Sequence, residues 1–82
     1  VYDIQALNVQ VRCVFTNTQP TDAYRGAGRP ETAYVLERLY DQGALALGLG
    51  RDEIRRRNFI RPEQIPYRNA AGNQIDSGRF AE

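Results

Sequence analysis

Along Leu7–Thr16, LNVQVRCVFT, apolar and polar positions alternate. Leu7, Val9, Val11, Cys13 and Phe15 fall on one side, and Asn8, Gln10, Arg12, Val14 and Thr16 on the other, which is the period of a half-buried strand. Cys13 lies in the apolar set and reads as a buried small hydrophobe rather than a reactive thiol. Tyr2 and Ile4 have the opposite parity to Leu7, so a bulge or bend is predicted near Ala6. The turn-rich TNTQPTD ends the strand, because Pro20 has no N–H for a ladder and pushes Gln19 towards extended geometry.

The period then changes. Ala33, Leu36, Tyr40, Ala44 and Leu47 recur at helical spacing, flanked by Val35 and Leu39, and predict a helix of about four turns with a broad apolar face. Pro30 suits its first position, where a missing N–H costs nothing, and Glu31 places a favourable charge in the first turn. Gly48 is placed for the left-handed residue that closes it. A shorter helix is predicted over Asp52–Arg57, with Gly50 as a weak N-cap, Leu49 and Ile54 as a hydrophobic staple and Glu53 at the third helical position.

From Asn58 onward the chain reads mostly as loop. Pro62, Pro66 and the NAAGN turn leave little room for regular structure, and IDSG near the end predicts another helix start capped by Asp76 or Ser77. No repeat, low-complexity tract or linker divides the 82 residues. A domain of that size buries about 60–65% of the surface its unfolded chain exposes, and one strand, two helices and a truncated third element do not close a core comfortably.

Composition narrows the chemistry. The chain is 41% hydrophobic and 26% charged, a globular balance, with no apolar run near the roughly 20 residues of a membrane span. It has no Met, which leads us to expect a processed chain or a fragment, and Val1–Gln10 has neither a basic leader nor an apolar core of signal-peptide length. All eleven basic residues are Arg, yet the net charge is only +1. Nucleic acid is therefore not an expected partner, and Arg55, Arg56 and Arg57 read as the solvated side of the short helix. With no His, one Ser and one Cys, the chain holds no Ser–His–Asp triad, disulfide or cysteine-rich zinc site of its own.

The stretch TDAYRGAGRPE, Thr21–Glu31, packs two arginines and two glycines into Arg25–Arg29 ahead of the helix. Glycines at 26 and 28 permit backbone angles and close approaches that a Cβ would forbid, and a helix start presents free N–H groups. Arg25 and Arg29 suit bidentate bonding to an oxyanion. Such a loop could hold a phosphate, a carboxylate or an anionic cofactor. It could equally be a structural turn between strand and helix, since the glycine spacing lacks the longer nucleotide-binding patterns. A small non-enzymatic module that holds an anionic ligand or partner through this loop is the alternative to an enzyme.

AYRGAGRPE closely resembles the active-site loop in the molybdenum-binding large subunit of the xanthine dehydrogenase and aldehyde oxidase family, in the variety called form II aerobic carbon monoxide dehydrogenase. VFTNTQPTDAYRGAGRPE, LERLYDQGALALGL, EIRRRNFI, PYRNAAGNQIDSG and Phe80 follow in the family's order and spacing, so essentially all of the chain is covered. AYRGAGR is the specific part; the helix and RRRNF support it.

The resemblance implies an α+β fold, with residues 1–82 forming one incomplete segment of a larger molybdopterin-binding domain: strand, cofactor loop, four-turn helix, short helix and irregular C-terminal segment. It implies that Tyr24, Arg25, Gly26, Ala27 and Gly28 line a molybdenum–molybdopterin centre, in the cytosine dinucleotide form, and that none of them binds a metal directly. Ala27 would face the substrate where purine-oxidising relatives place an aromatic ring. Gly26 stands where form I carbon monoxide dehydrogenases carry a copper-binding cysteine; it offers no sulfur, which counts against carbon monoxide as substrate. The implied reaction is oxidative hydroxylation of an electron-poor carbon, as in aldehydes or N-heterocycles. Electrons would leave through an iron–sulfur small subunit to an FAD-binding medium subunit, in the cytoplasm, free or at the inner face of the membrane. The activating glutamate belongs to a segment far downstream, so no catalytic residue is assigned here. Glu31 and Glu37 read as first-turn and solvent-face helix residues. The chain by itself is expected to be inactive.

Overall fold

A computed structural model describes all residues from Val1 to Glu82. Two α-helices, α1 (Arg29–Leu47) and α2 (Arg51–Asn58), are followed by a 3-10 turn at Pro62–Gln64 and a hairpin of β1 (Tyr67–Arg68) and β2 (Gln74–Ile75). Helix α1 runs 19 residues with Pro30 in its first turn, a turn longer than the apolar spacing predicts. Gly48 closes it in the left-handed region, at φ 65°. The Gly48 N–H donates to the Leu45 carbonyl at 3.3 Å and the Leu49 N–H to that of Ala44 at 2.9 Å, a Schellman arrangement. Two residues on, extended Gly50 caps α2. Asp52 and Glu53 occupy the first turn of α2 and three arginines its last, both favourable to the helix dipole.

Helices α1 and α2 meet where side chains are smallest. A Cβ added to Gly43 would lie 3.2 Å from Ile54 Cδ1, so glycine admits the Ile54 side chain against the α1 backbone. Ala44, Ile54 and Ile60 are the buried core. The first residues of the chain lie along the exit of α2: the Asp3 N–H donates to the Asn58 carbonyl at 2.8 Å and the Ile60 N–H to that of Val1 at 2.9 Å, an isolated antiparallel bridge of Tyr2 with Phe59. The Tyr2 ring sits between Tyr40, 4.1 Å away centre to centre, and Phe59 at 5.4 Å.

A polar cluster completes this junction. Arg55 Nε donates to Glu37 Oε2 at 2.8 Å, and its Nη2 donates to Asp41 Oδ1 at 2.9 Å and to the Glu37 carbonyl at 3.2 Å. The Tyr2 hydroxyl donates to the other Glu37 oxygen at 2.8 Å. Arg55 is therefore not on the solvated side of α2, as its place in an arginine run suggests, and its side chain is only 21% exposed. Arg56 and Arg57 do lie outside, paired with Asp52 and Glu53 one turn back. Glu37 is half-buried, its side chain 47% exposed, with its carboxylate turned to Tyr2 and Arg55. At the other end, Asp3 accepts from the Tyr67 hydroxyl at 2.7 Å and Gln64 Nε2 at 3.0 Å, anchoring the C-terminal segment to the N-terminal one.

Three expectations are overturned. Leu7–Thr16 forms no strand: these residues are exposed and join no ladder, with Val11 at 78% and Phe15 fully exposed. A strand needs a neighbour for its N–H and C=O groups and a layer over its apolar side, and this chain provides neither. Cys13 is accordingly exposed rather than buried. The bend expected near Ala6 does occur, at Gln5. No helix starts at Asp76–Ser77; instead the supposed loop forms the hairpin, with Tyr67 opposite Ile75. Its turn is built by Asn69, whose Oδ1 accepts from the Ala71 and Asn73 N–H groups, and by left-handed Gly72 at φ 87°. The apolar face of α1 is covered only in part: Leu36, Tyr40 and Ala44 are wholly or half covered, while Val35, Leu39 and Leu47 remain exposed. The radius of gyration is 15.8 Å, against about 12 Å for a compact chain of this length.

The Glu37 carboxyl is held below its ordinary range by the Tyr2 hydrogen bond and then by Arg55, and Asp41 is lowered chiefly by the bond from Arg55. Burial, with Glu37 behind it, pushes the Tyr2 hydroxyl up from 10.0 to about 12. A depressed carboxylate contributes stability above its ordinary pKa and loses it as pH falls through the depressed value. A raised phenol contributes below its ordinary pKa and loses that contribution as pH climbs through the raised one. The junction is thus strongest between the ordinary carboxylate range and pH about 10.

Two outcomes follow for the full-length protein. Arg55→Ala should speed hydrogen exchange of the α2 amides by about tenfold, equivalent to about 1.4 kcal/mol of local opening, while mid-α1 amides change less; unchanged α2 protection would refute the clamp. The melting-temperature advantage of the wild type over Tyr2→Phe should be full at neutral pH and shrink between pH about 10 and about 12; an advantage constant across that range would contradict the assigned hydrogen bond.

Candidate functional site: the Tyr24–Gly28 loop

Two overlapping turns shape the loop. The Ala27 N–H donates to the Tyr24 carbonyl at 2.8 Å, and the Arg29 N–H to that of Gly26 at 2.9 Å. Gly26 is the third residue of the first turn at φ 87°, and Gly28 the third of the second at φ 82°, ψ −16°. These are the angles a type II turn requires there, and they favour glycine. Nothing lies within 4 Å of a Cβ built on either, so the requirement is conformational and the space beside both glycines is open.

The turns sort the loop's peptide groups. The Ala27 and Arg29 N–H groups are used inside the loop, whereas those of Arg25, Gly26, Gly28 and Glu31 donate to nothing in the chain. The Gly26 and Gly28 N–H groups belong to the central peptides of the two turns. Arg25 and Arg29 take part in no ion pair, whereas Arg51, Arg55, Arg56, Arg57, Arg61 and Arg79 each have a carboxylate partner.

Of the residues singled out in the sequence, Tyr24, Arg25, Ala27 and Gly28 border one concavity of about 170 Å³ with Asp22 and Glu31, and Gly26 lies in the turn between them. Tyr24 is 81% exposed. Glu31 occupies the first turn of α1, as expected. Two residues that the sequence reading passed over also shape the loop. Asp22 accepts the Ala23 N–H at 2.7 Å. Thr32 donates both its N–H, at 3.0 Å, and its hydroxyl, at 2.7 Å, to the Gly28 carbonyl. The threonine four residues beyond a turn glycine was the available signal. No three His, Cys, Asp or Glu side chains gather to form a metal cluster. A donor-rich loop of unpaired guanidinium and amide N–H groups, with open space beside its glycines, fits a bound anionic group.

The family model for the molybdopterin cofactor-binding domain matches residues 1–59, a span that includes the loop and both helices. The chain is 42% identical over 81 residues, 96% of its length, to the carbon monoxide dehydrogenase large chain of Hydrogenophaga pseudoflava, of which it covers 10%. It is 35% identical over all 82 residues to the nicotine 6-hydroxylase large subunit of Paenarthrobacter nicotinovorans, covering 10% of that protein. To subunit gamma of the 6-hydroxypseudooxynicotine dehydrogenase complex of the same organism it is 38% identical over 66 residues, 80% of this chain and 8% of the relative. No solved structure matches. The chain belongs to the molybdopterin cofactor-binding domain family. It spans about a tenth of the length of these curated relatives, whose names mark them as subunits of larger assemblies. No helix is long and apolar enough to cross a membrane.

Proposed function

We propose that this chain supplies one wall of the cofactor site in a molybdenum-dependent hydroxylase large subunit, with Tyr24, Arg25, Gly26, Ala27 and Gly28 facing the molybdopterin. The observation that carries this reading is the loop's donor set, unpaired guanidiniums beside two unused turn amides, within a segment matched by the molybdopterin-binding family.

The roles follow from the geometry. Arg25 offers a planar fork of N–H donors to an oxyanion, and neither Asp22 nor Glu31, the carboxylates that border the same concavity, is paired with it. The Gly26 and Gly28 N–H groups are fixed dipoles that need no reorganisation when charge develops nearby. When bound, the molybdopterin cofactor supplies the two-electron redox chemistry of hydroxylation. Ala27 carries only a methyl group at the concavity, leaving room for a substrate ring or carbonyl beside the donors. The proton-accepting carboxylate is not drawn from Glu37 or Glu53, which are committed to Tyr2 and Arg55 and to Arg57. Glu31 remains the first-turn residue of α1, and the base belongs to another segment of the large subunit.

The substrates on this reading are electron-poor carbons of aldehydes or N-heterocycles, the latter supported by the nicotine 6-hydroxylase name of one relative. Gly26 offers no thiolate, so a copper-dependent oxidation of carbon monoxide is not part of the proposal. The cofactor is the cytosine dinucleotide form, the electron acceptors are an iron–sulfur small subunit and an FAD-binding medium subunit, and the assembly is cytoplasmic.

Arg25→Ala in the full-length enzyme should lower molybdenum-dependent turnover by about tenfold to a hundredfold, the range for loss of one charged donor, with molybdenum content measured in parallel. Unchanged turnover at unchanged metal content would overturn the assignment.

A further inference from the structure

We infer that Thr32 is a positioning residue for the cofactor loop, its hydroxyl holding the Gly28 carbonyl and so fixing which loop amides stay free for the bound anionic group. This rests on the proposal that Tyr24–Gly28 faces the cofactor.

A threonine inside a helix commonly returns its hydroxyl to the carbonyl four residues back. Here that carbonyl is the one at the N-cap of α1, where the loop passes into the helix. It belongs to Gly28, in the left-handed region at the second turn, and it accepts twice from Thr32, through the N–H at 3.0 Å and the hydroxyl at 2.7 Å. The peptide joining Gly28 to Arg29 is held at both ends, because its N–H donates to the Gly26 carbonyl at 2.9 Å. That Gly26 carbonyl belongs to the peptide two back, whose Ala27 N–H is in turn bound to the Tyr24 carbonyl at 2.8 Å.

Two locked peptides therefore alternate with two free ones, and the free ones carry the Gly26 and Gly28 N–H groups. Glycine has little intrinsic preference of hand, so the Gly28–Arg29 peptide could flip if its carbonyl were held less firmly. That flip would take the Arg29 N–H off the Gly26 carbonyl and open the second turn, so that the neighbouring Gly28 N–H would no longer be held in its outward direction. The Thr32 hydroxyl opposes that flip from a position in α1, whose far half is anchored by Arg55.

The test uses the full-length protein assembled with its partner subunits. Thr32→Val keeps the β-branched shape and the N–H bond but removes the hydroxyl, and Thr32→Ser keeps the hydroxyl. Molybdenum retained against time in mild urea is measured, together with the electron paramagnetic resonance spectrum of the reduced metal. Thr32→Val should lose molybdenum about threefold to tenfold faster than the wild type, as the loss of one hydrogen bond implies, with a shifted spectrum and an unchanged melting temperature. Thr32→Ser should restore both within about twofold. If Thr32→Val lowers the melting temperature, Thr32→Ala, which removes the hydroxyl at a position favourable to helix, is read by the same two assays. Wild-type retention and spectrum in the valine or alanine variant, or failure of serine to rescue, overturns the inference. Arg25→Ala and Gly28→Ala separate the two levels: if they alter retention and spectrum while Thr32→Val does not, Thr32 alone is misassigned. If they too are silent, the cofactor-facing reading of the loop falls with it.

Discussion

The guanidinium of Arg55 is the contact on which the rest of this structure depends. It reaches from α2 to two carboxylates and a backbone carbonyl of α1, and through Glu37 it is linked to the hydroxyl of Tyr2. Tyr2 in turn lies between Tyr40 of α1 and Phe59 beyond α2. One side chain thus joins three pieces of chain that share few buried apolar contacts. Arginine suits the place better than lysine, because its fixed fork serves both acids at once while remaining charged at any accessible pH. Glu37 and Asp41 sit one turn apart on α1 and would repel each other without it.

That junction bears on the loop through chain geometry. Tyr2 is fixed against α2, and Arg29 begins the helix to which α2 is tied, so the segment carrying Tyr24–Gly28 is held at both ends. Between those anchors several apolar side chains are uncovered: Val9, Val11, Val14 and Phe15 are exposed, as are Val35 and Leu39 on α1. A run of exposed apolar side chains is the surface of something larger rather than an end state for a domain in water. A chain that covers about a tenth of its relatives' length has the remaining subunit to supply that cover.

How much could be read from the sequence depended on the range of the interactions involved. Helix α1 was legible because Pro30, the apolar spacing and Gly48 all act within the helix, and α2 because Gly50 and the Leu49–Ile54 pair do the same. Leu7–Thr16 was misread as a finished strand because a period of two reports what a segment is able to pair with and says nothing of whether a partner is present. Arg55 was hidden in a run of three arginines, and only the rotation of α2 against Glu37 and Asp41 distinguishes it from Arg56 and Arg57. The hairpin was missed at NAAGN because proline and glycine density argued for loop, although Asn69 and Gly72 were the residues a tight turn would use. For the site, Tyr24–Gly28 could be located from its glycines and arginines, whereas Thr32 was marked only by its spacing from Gly28, and its role appears only when the Gly28 carbonyl direction is known.

The loop differs from its surroundings in being specified by itself. Its two turns are closed by bonds within Tyr24–Thr32, and its glycines adopt angles that no neighbour imposes, since nothing approaches either within 4 Å of an added Cβ. A binding loop whose shape is set by short-range bonds keeps its donors arranged before the other walls of the site close over it, so less ordering remains to be done when an anionic group arrives. The physical division of labour is then clear. Arg55 and the tyrosine stack decide where the loop sits, Gly26, Gly28 and Thr32 decide which of its peptide groups face outward, and Arg25, with Arg29 at the helix start, adds the full positive charge that a set of backbone dipoles lacks.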